Sequence, residues 1–296
     1  MTARRRPGPR RIAILGHVAR PGVRRAVTRL RQALARQGRE VRLDELLAAE
    51  MGLPGYPLDE LARWCQLLIT LGGDGTVLAG GRALAGRPAA LLAVNLGGLG
   101  FLAAAEAREL EPSLRAVFEG RWRVAQRRLV EAAVLRRGRR VRRGVAMNDA
   151  VIKGAGGYAA IHLRLAALGE DLGHLVADGL IAASAAGSTA YSLSAGGPLL
   201  APDLEALVVT PACPHSLGSR SLVLAADAEV SVQLIGSFDH TLLLLDGQDS
   251  FVLEPRDEVR IRLGRTAVRM FQNPRRAFVR ALRVKLGWQG SRKRSL

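Results

Sequence analysis

The chain is poor in lysine, cysteine and aromatic side chains. Only three of its 44 basic residues are lysine: Lys153, Lys285 and Lys293. GxxxxGK[ST] is absent as well, which excludes a Walker-type phosphate loop. The two cysteines, Cys65 and Cys213, stand far apart and match no metal or redox spacing. A reduced, cytoplasmic protein is the expectation. His17, His162, His174, His215 and His240 show no paired metal spacing. His215 follows Pro214 and reads as a loop residue that fixes backbone. No serine occupies a GxSxG elbow and Cys65 lies in an apolar context, so nucleophilic hydrolase chemistry gains no support.

Long apolar runs are also missing. PAALLAVNLGGLGFLAAA (Pro88 to Ala105) is uncharged and long enough to span a bilayer. It opens on proline and is broken by Asn95, Gly97, Gly98 and Gly100. It reads as a buried strand, a glycine loop and a helix start, and no membrane association is expected. The basic start MTARRRPGPRR leads only to the short IAIL, without the apolar segment or cleavage site of a signal peptide. There is no solenoid-period repeat and no low-complexity linker.

Positive charge, by contrast, is abundant. The formal net charge is +18, a field that attracts polyanions. It is scattered through RRRPGPRR, VRRAVTRLRQALARQGREVR and QRRLVEAAVLRRGRRVRR. Aromatic residues make up 4% of the chain and hardly interleave with it, so no stacking platform for single strands is evident. A solvated, arginine-biased surface is the simpler reading, and no nucleic-acid partner is expected.

The first part alternates strand and helix patterns. RIAILGHV is a short buried strand, and Val23, Ala26, Val27, Leu30 and Leu34 then recur at helical spacing up to a stop at Gly38. EVRLDEL contains a second strand, LDELARWC is weakly helical, and QLLITL and PAALLAVN are further strands. Alternation of this kind predicts an α/β domain with a doubly wound, Rossmann-like sheet, over residues 1–124. Ligands of such sheets sit beyond the C-terminal strand ends. From about Arg121 short strands and turn signals dominate, as in RRLVEAAVL, IHLRLAAL, SLVLA, EVSVQLIG and HTLLLLDG. A β-rich, sandwich-like domain is expected over 125–270.

Three stretches can carry chemistry. GGDGT follows the QLLITL strand and opens a helix pattern, TVLAGGRALAG. Backbone N–H groups of such a loop favour phosphate oxygens. An acid there repels phosphate unless it holds a metal ion or takes a proton from an attacking hydroxyl. An Asx-turn explains Asp74 equally well from this segment alone. MNDAVI sets Asn148 and Asp149 between apolar runs, either as an ordinary turn or as a strand end able to bond a ribose or an adenine edge. ADGLIAASAAGSTAYSLSAGGPLL gathers Ser184, Ser188, Thr189, Tyr191, Ser192 and Ser194. It holds a short capped helix, packed or pressed against a ligand.

GGDGT, NLGGLGFL, MNDAVI, DGLIAASAAGSTAYSLSAGGP and TPACPHSLGSRSLVL, in that order and spacing, resemble the NAD kinase family over nearly the whole chain. GGDGT alone is shared with lipid kinases of the diacylglycerol and sphingosine type, whereas GSTAYSLSAGGP after DGL is highly specific. The resemblance implies two domains, with the last residues (271–296) returning to the first. It implies transfer of the γ-phosphoryl of ATP, or in some members of polyphosphate, to the 2′-hydroxyl of the adenosine ribose of NAD. Mg²⁺ or Mn²⁺ would travel with the nucleotide. A homodimer or homotetramer is implied, with the NAD site near a subunit interface.

The implied roles fall on Asp74 as proton acceptor and on Gly72, Gly73 and Gly75 as the phosphate or ribose approach. Asn148 and Asp149 would hold the adenosine, and Asp178 the far end of the dinucleotide or a place across the interface. Thr189, Ala190, Tyr191, Ser192, Leu193 and Ser194 match the NAD-contact run, and Gln248 in DGQ a further contact. Tyr191 would stack on or bond the adenosine. The chain departs from the family pattern at Ala185 and Ala186, in SAAGST, where TPTGST is usual. It departs again at Val176, where a basic residue is common, and at NLGGLGFL, which lacks a polar residue after the asparagine. Each departure bears on affinity or on preference between NAD and NADH. Two alternatives stay open: a lipid kinase, which leaves GSTAYSLSAGGP unexplained, and a nucleic-acid-binding protein, which leaves Asp74 and Asp178 unexplained.

Overall fold

The computed structural model describes residues 8–97, 100–156, 160–237, 240–273 and 278–287. The arginines at 4–6, Gly98 and Leu99 of NLGGLG, and Trp288 of KLGW lie outside the described residues. The chain divides into two compact units, Met1–Gln126 with Val268–Leu296, and Arg127–Ala267.

The first unit contains β1 (Arg11–Gly16), α1 (Val23–Ala35), β2 (Glu40–Asp44), α2 (Glu45–Ala49), β3 (Gly55–Tyr56), α3 (Leu58–Trp64), β4 (Leu67–Gly72), α4 (Asp74–Ala83), β5 (Ala90–Asn95), β6 (Ala105–Glu106) and α5 (Leu110–Phe118). Its sheet runs β5-β4-β1-β2-β3 and every pair is parallel, with Ile14 opposite Ile69 and Ile69 opposite Leu92. Every residue of β4 and β5 is buried, because helices cover both faces. Val27, Leu30 and Leu34 of α1 and Leu114 and Val117 of α5 pack on Ile12, Ile14, Ile69 and Leu92. On the opposite face α4 lies close, with Gly80 against Leu68 and Thr70. The doubly wound sheet is as the alternation predicts. One expectation fails: among the described residues of Pro88–Ala105 no helix starts, and α5 begins only at Leu110. LAAA instead carries Ala105 into β6, which pairs with β5 through Val94. Among the described residues no helix is long and apolar enough to cross a membrane.

The second unit holds β7 (Arg123–Arg136), β8 (Arg139–Ala146), β9 (Asp149–Gly154), β10 (Ile161–Ala167), β11 (Glu170–Ala177), β12 (Gly179–Ala183), α6 (Tyr191–Ser194), β13 (Ala206–Ala212), β14 (Leu222–Ala225), β15 (Glu229–Ser237), β16 (Thr241–Leu245), β17 (Asp249–Leu253) and β18 (Glu258–Gln272). One antiparallel sheet runs β14-β13-β12-β9-β16-β17, and another layer contains β11-β10-β15-β18, with β7 pairing β18 and β8. Leu180, Val209 and Leu243 of the first meet Leu163, Val230 and Ile261 of the second in one core. That is a sandwich. Arg137 (φ 51°) and Gly138 (φ 75°) close the β7–β8 hairpin at RRGRR.

The chain enters the second unit within β7 and leaves it within β18. The end of β18 adds beside β5, with Arg269 opposite Ala90. Helix α7 (Phe278–Leu286) follows, and Lys285 sits 4.6 Å over the Phe101 ring.

Candidate active site

In the first unit the chemistry gathers where β4 and β5 end. Gly73 is extended, at φ −99° and ψ −171°, and α4 begins on Asp74 without a side-chain cap. The N–H groups of Thr76 and Val77 donate to Gly73 O at 3.1 and 3.3 Å. Neither oxygen of Asp74 forms a hydrogen bond or ion pair among the described residues, and Oδ1 is buried. The Asx-turn that would explain this acid structurally is not made. Oδ1 rests against the Cα of Gly100, where a methyl group would overlap it.

Asn95 closes β5 and is 7% exposed. Its Oδ1 accepts the N–H of Gly97 at 2.8 Å. Its Nδ2 lies 3.0 Å from the place a Cβ on Gly100 would take, so Asp74 and Asn95 face one point. The loops are tied by Leu96 N–H to Gly72 O at 3.2 Å.

In the second unit Asn148 and Asp149 stand at the start of β9. The strand pattern expects adjacent residues to diverge, one to each face. Both are nevertheless buried, because β9 is covered on both faces, with Ala150 and Ile152 in one core and Val151 in another. Asp246, on the β16–β17 turn, accepts the N–H groups of Met147 at 2.9 Å, Asn148 at 2.7 Å and Asp149 at 3.3 Å. The Asp246 N–H donates to Asp149 O at 3.0 Å.

The segment after β12 closes the same place. Ser184 N–H donates to Asn148 O at 2.8 Å, and its hydroxyl donates to Met147 O at 2.7 Å. Gly187 packs on Asn148 so closely that a Cβ would stand 2.7 Å from the Asn148 Cα and overlap its carbonyl. The Asn148 Oδ1 is left buried with no partner among the described residues. Burial, and then the charge of Asp246, push the Asp149 carboxyl up to about 7. Near neutrality the pair offers an acceptor on Asn148 and, while protonated, a donor on Asp149.

Models of the ATP-NAD kinase N-terminal and C-terminal domains match residues 56–122 and 147–272. An NAD kinase of Desulforamulus reducens is 38% identical over 277 residues, 93% of this chain and 94% of the relative. The chain belongs to the NAD kinase family. The NAD kinase of Geobacter metallireducens is 38% identical over 241 residues, 81% of this chain and 85% of its own. Among solved structures, a yeast NADH kinase complexed with NADH superposes with TM-score 0.89 at 25% identity, covering 98% of this chain and 91% of that one. An Archaeoglobus fulgidus NAD kinase in complex with ATP gives TM-score 0.76 at 25% identity, covering 95% and 100%.

The run from Thr189 to Ser194 is divided in its surroundings. Tyr191 is 44% exposed and Ser194 is also exposed, while Ala190 and Leu193 are half-buried. Ser192 is fully buried with its hydroxyl 2.9 Å from that of Thr210. Thr189 spends its hydroxyl on Ala186 O at 3.0 Å. The Ser192 hydroxyl ties the short helix to β13, and the Thr189 hydroxyl closes the turn before it. Asp178 is exposed on the β11–β12 turn, where its carboxylate, near the Cys213 thiol, raises the pKa of that thiol. Gln248 is exposed two residues beyond Asp246 on one turn. Sequence reasoning missed Asp246 and Asn95. Asp246 had a signal, an acid before glycine in the DGQ turn that supplied Gln248. Among the described residues no group of three or more His, Cys, Asp or Glu forms a metal cluster.

Proposed function

We propose that this kinase transfers the γ-phosphoryl of ATP to the 2′-hydroxyl of the adenosine ribose of NAD, giving NADP and ADP. Asp74 carries the reading. Leaving a buried oxygen unpaired costs about 1–3 kcal/mol, and a hydroxyl proton to accept gives that oxygen a use. As the O2′–P bond forms and the bond from the γ-phosphorus to the β–γ bridging oxygen breaks, Asp74 takes the hydroxyl proton and ADP takes the bond's electron pair. The substrate is MgATP or MnATP, whose metal ion offsets charge on the phosphate oxygens. Backbone at Gly73 and Gly75 admits phosphate or ribose at the start of α4, whereas Gly72, expected to share that role, is buried against Thr76 and His17.

For NAD, Asn148 and Asp149 supply the acceptor and donor suited to an adenine edge. Tyr191 stacks on the adenosine, while Asp178, Gln248 and the remainder of the run 189–194 complete the dinucleotide contacts. The relatives named NAD kinase and the neighbours bound to NADH and ATP support these substrates. Matches to both NAD kinase domain models favour the reading over a lipid kinase or a nucleic-acid-binding protein. A cytoplasmic homodimer or homotetramer, and polyphosphate as a second donor, follow from the family resemblance. Light scattering on a sizing column tests the assembly.

The deciding experiment incubates the purified protein with ATP, Mg²⁺ and NAD and reads NADP with an NADP-specific dehydrogenase. Formation of NADP supports the assignment. No NADP, with phosphate transferred to a diacylglycerol or sphingosine instead, overturns it.

A further inference from the structure

We propose that Arg20 is the side-chain clamp for the phosphate chain of the donor, an inference that rests on the kinase reading above. Arg20 lies on the exposed turn after β1, at the same end of the sheet as the GGDG loop. The turn is held in place: His17 N–H donates to Leu71 O at 3.0 Å, and Arg20 N–H to His17 O at 2.9 Å. From there the guanidinium reaches over two loops at once. Its Nη2 stands 3.2 Å from where a Cβ on Gly73 would be, and its Nη1 3.6 Å from the same place on Gly97. These glycines let the planar group lie close to both backbones.

What sets Arg20 apart from other arginines that lack a side-chain partner among the described residues, such as Arg25, Arg29 and Arg31, is its place beside Gly73 and Gly97. The acid nearest in sequence to its contact at Gly73 is Asp74, and that carboxylate is turned onto Gly100. A guanidinium without an ion-pair partner thus stands beside Gly73, where α4 starts without a side-chain cap. Its fork of donors matches two oxygens of one phosphate, or oxygens of adjacent phosphates.

The arrangement also answers an electrostatic problem. A carboxylate serving as base repels the phosphate chain it must work beside. A cation on the protein, next to Gly73 and in addition to any ion carried by the nucleotide, offsets that repulsion without pairing with the base. Arg20 therefore bears on the donor, and leaves the adenosine of NAD to the second unit's residues.

The test compares wild type with Arg20→Ala and Arg20→Lys, varying ATP and NAD separately with Mg²⁺ present. A lost charge-assisted bond raises the KM for ATP at least about tenfold in Arg20→Ala. The KM for NAD stays within about twofold, and Arg20→Lys, which keeps the charge but not the fork, falls between. Calorimetric titration with magnesium tripolyphosphate shows a matching loss of affinity in Arg20→Ala. An unchanged KM for ATP together with unchanged tripolyphosphate binding overturns the clamp, as does an equal rise in KM for both substrates. If the wild type makes no NADP, the kinase reading fails by itself, and the tripolyphosphate titration alone then decides whether Arg20 binds phosphate.

Discussion

Gly100 is the wall on which the Asp74 carboxylate rests. A methyl group at Gly100 would overlap the Asp74 Oδ1, so the glycine sets where the base can stand. Gly100→Ala is expected to turn the carboxylate away. A displacement of about 1 Å can cost about 100-fold in rate. Steady-state kinetics at saturating NAD and ATP should show that fall in kcat, with thermal unfolding close to wild type. An undiminished kcat would show that the wall does not position the base.

Asp74→Asn keeps the shape and removes the proton acceptor. General-base contributions are typically about 10²–10⁴-fold, so kcat should drop by that order. NAD affinity, followed by fluorescence titration, should stay within about threefold. A variant that turns over at the wild-type rate would remove Asp74 from the mechanism.

Asp149 gives a signed pH dependence. Its carboxyl is pushed up to about 7 by burial and then by Asp246. An unfolded aspartate loses its proton near pH 4. Between these values the folded state holds a proton that the unfolded state has lost, so this group's contribution to stability falls as pH rises from about 4 to about 7. Asp149→Asn cannot ionise. Its unfolding midpoint in urea should gain on wild type steadily across that window and level off above it. Parallel curves at every pH would mean that Asp149 titrates normally.

Gly187→Ala probes the second unit. The added methyl meets the carbonyl and the Cα of Asn148. Overpacking of this kind costs about 1–3 kcal/mol. Denaturant unfolding should register that loss. The KM for NAD should rise with it, because the backbone bearing the Asn148 side chain must shift, while the KM for ATP should move less.

Much of the frame was legible in the sequence. The apolar runs at Leu67–Gly72 and Ala90–Asn95 are buried strands, since only a sheet covered on both faces makes use of unbroken apolar strands. RRGRR is a hairpin turn because Gly138 supplies a positive φ. The helix expected within Pro88–Ala105 was misread, because LAAA fits a short buried strand as readily as a helix start. The pairing of Val94 with Ala105 decides for the strand, and that contact is not a local property.

The sequence by itself determined the alternating α/β unit, the sandwich strands and the family, since periodicity, turn residues and motif order are properties of neighbours along the chain. Only the tertiary structure decided which polar groups are left without partners. Asp246 occupies the N–H groups of Asn148 and Asp149 from 98 and 97 positions away, Gly187 shapes the backbone beside them, and Arg20 reaches Gly73 and Gly97. A side chain's partners are set by what folding brings within about 3 Å of it. Asp74 and Asn148 become candidates for ligand binding because the fold buries an oxygen of each and leaves it unpaired, and Arg20 because the fold sets its exposed guanidinium beside Gly73 and Gly97.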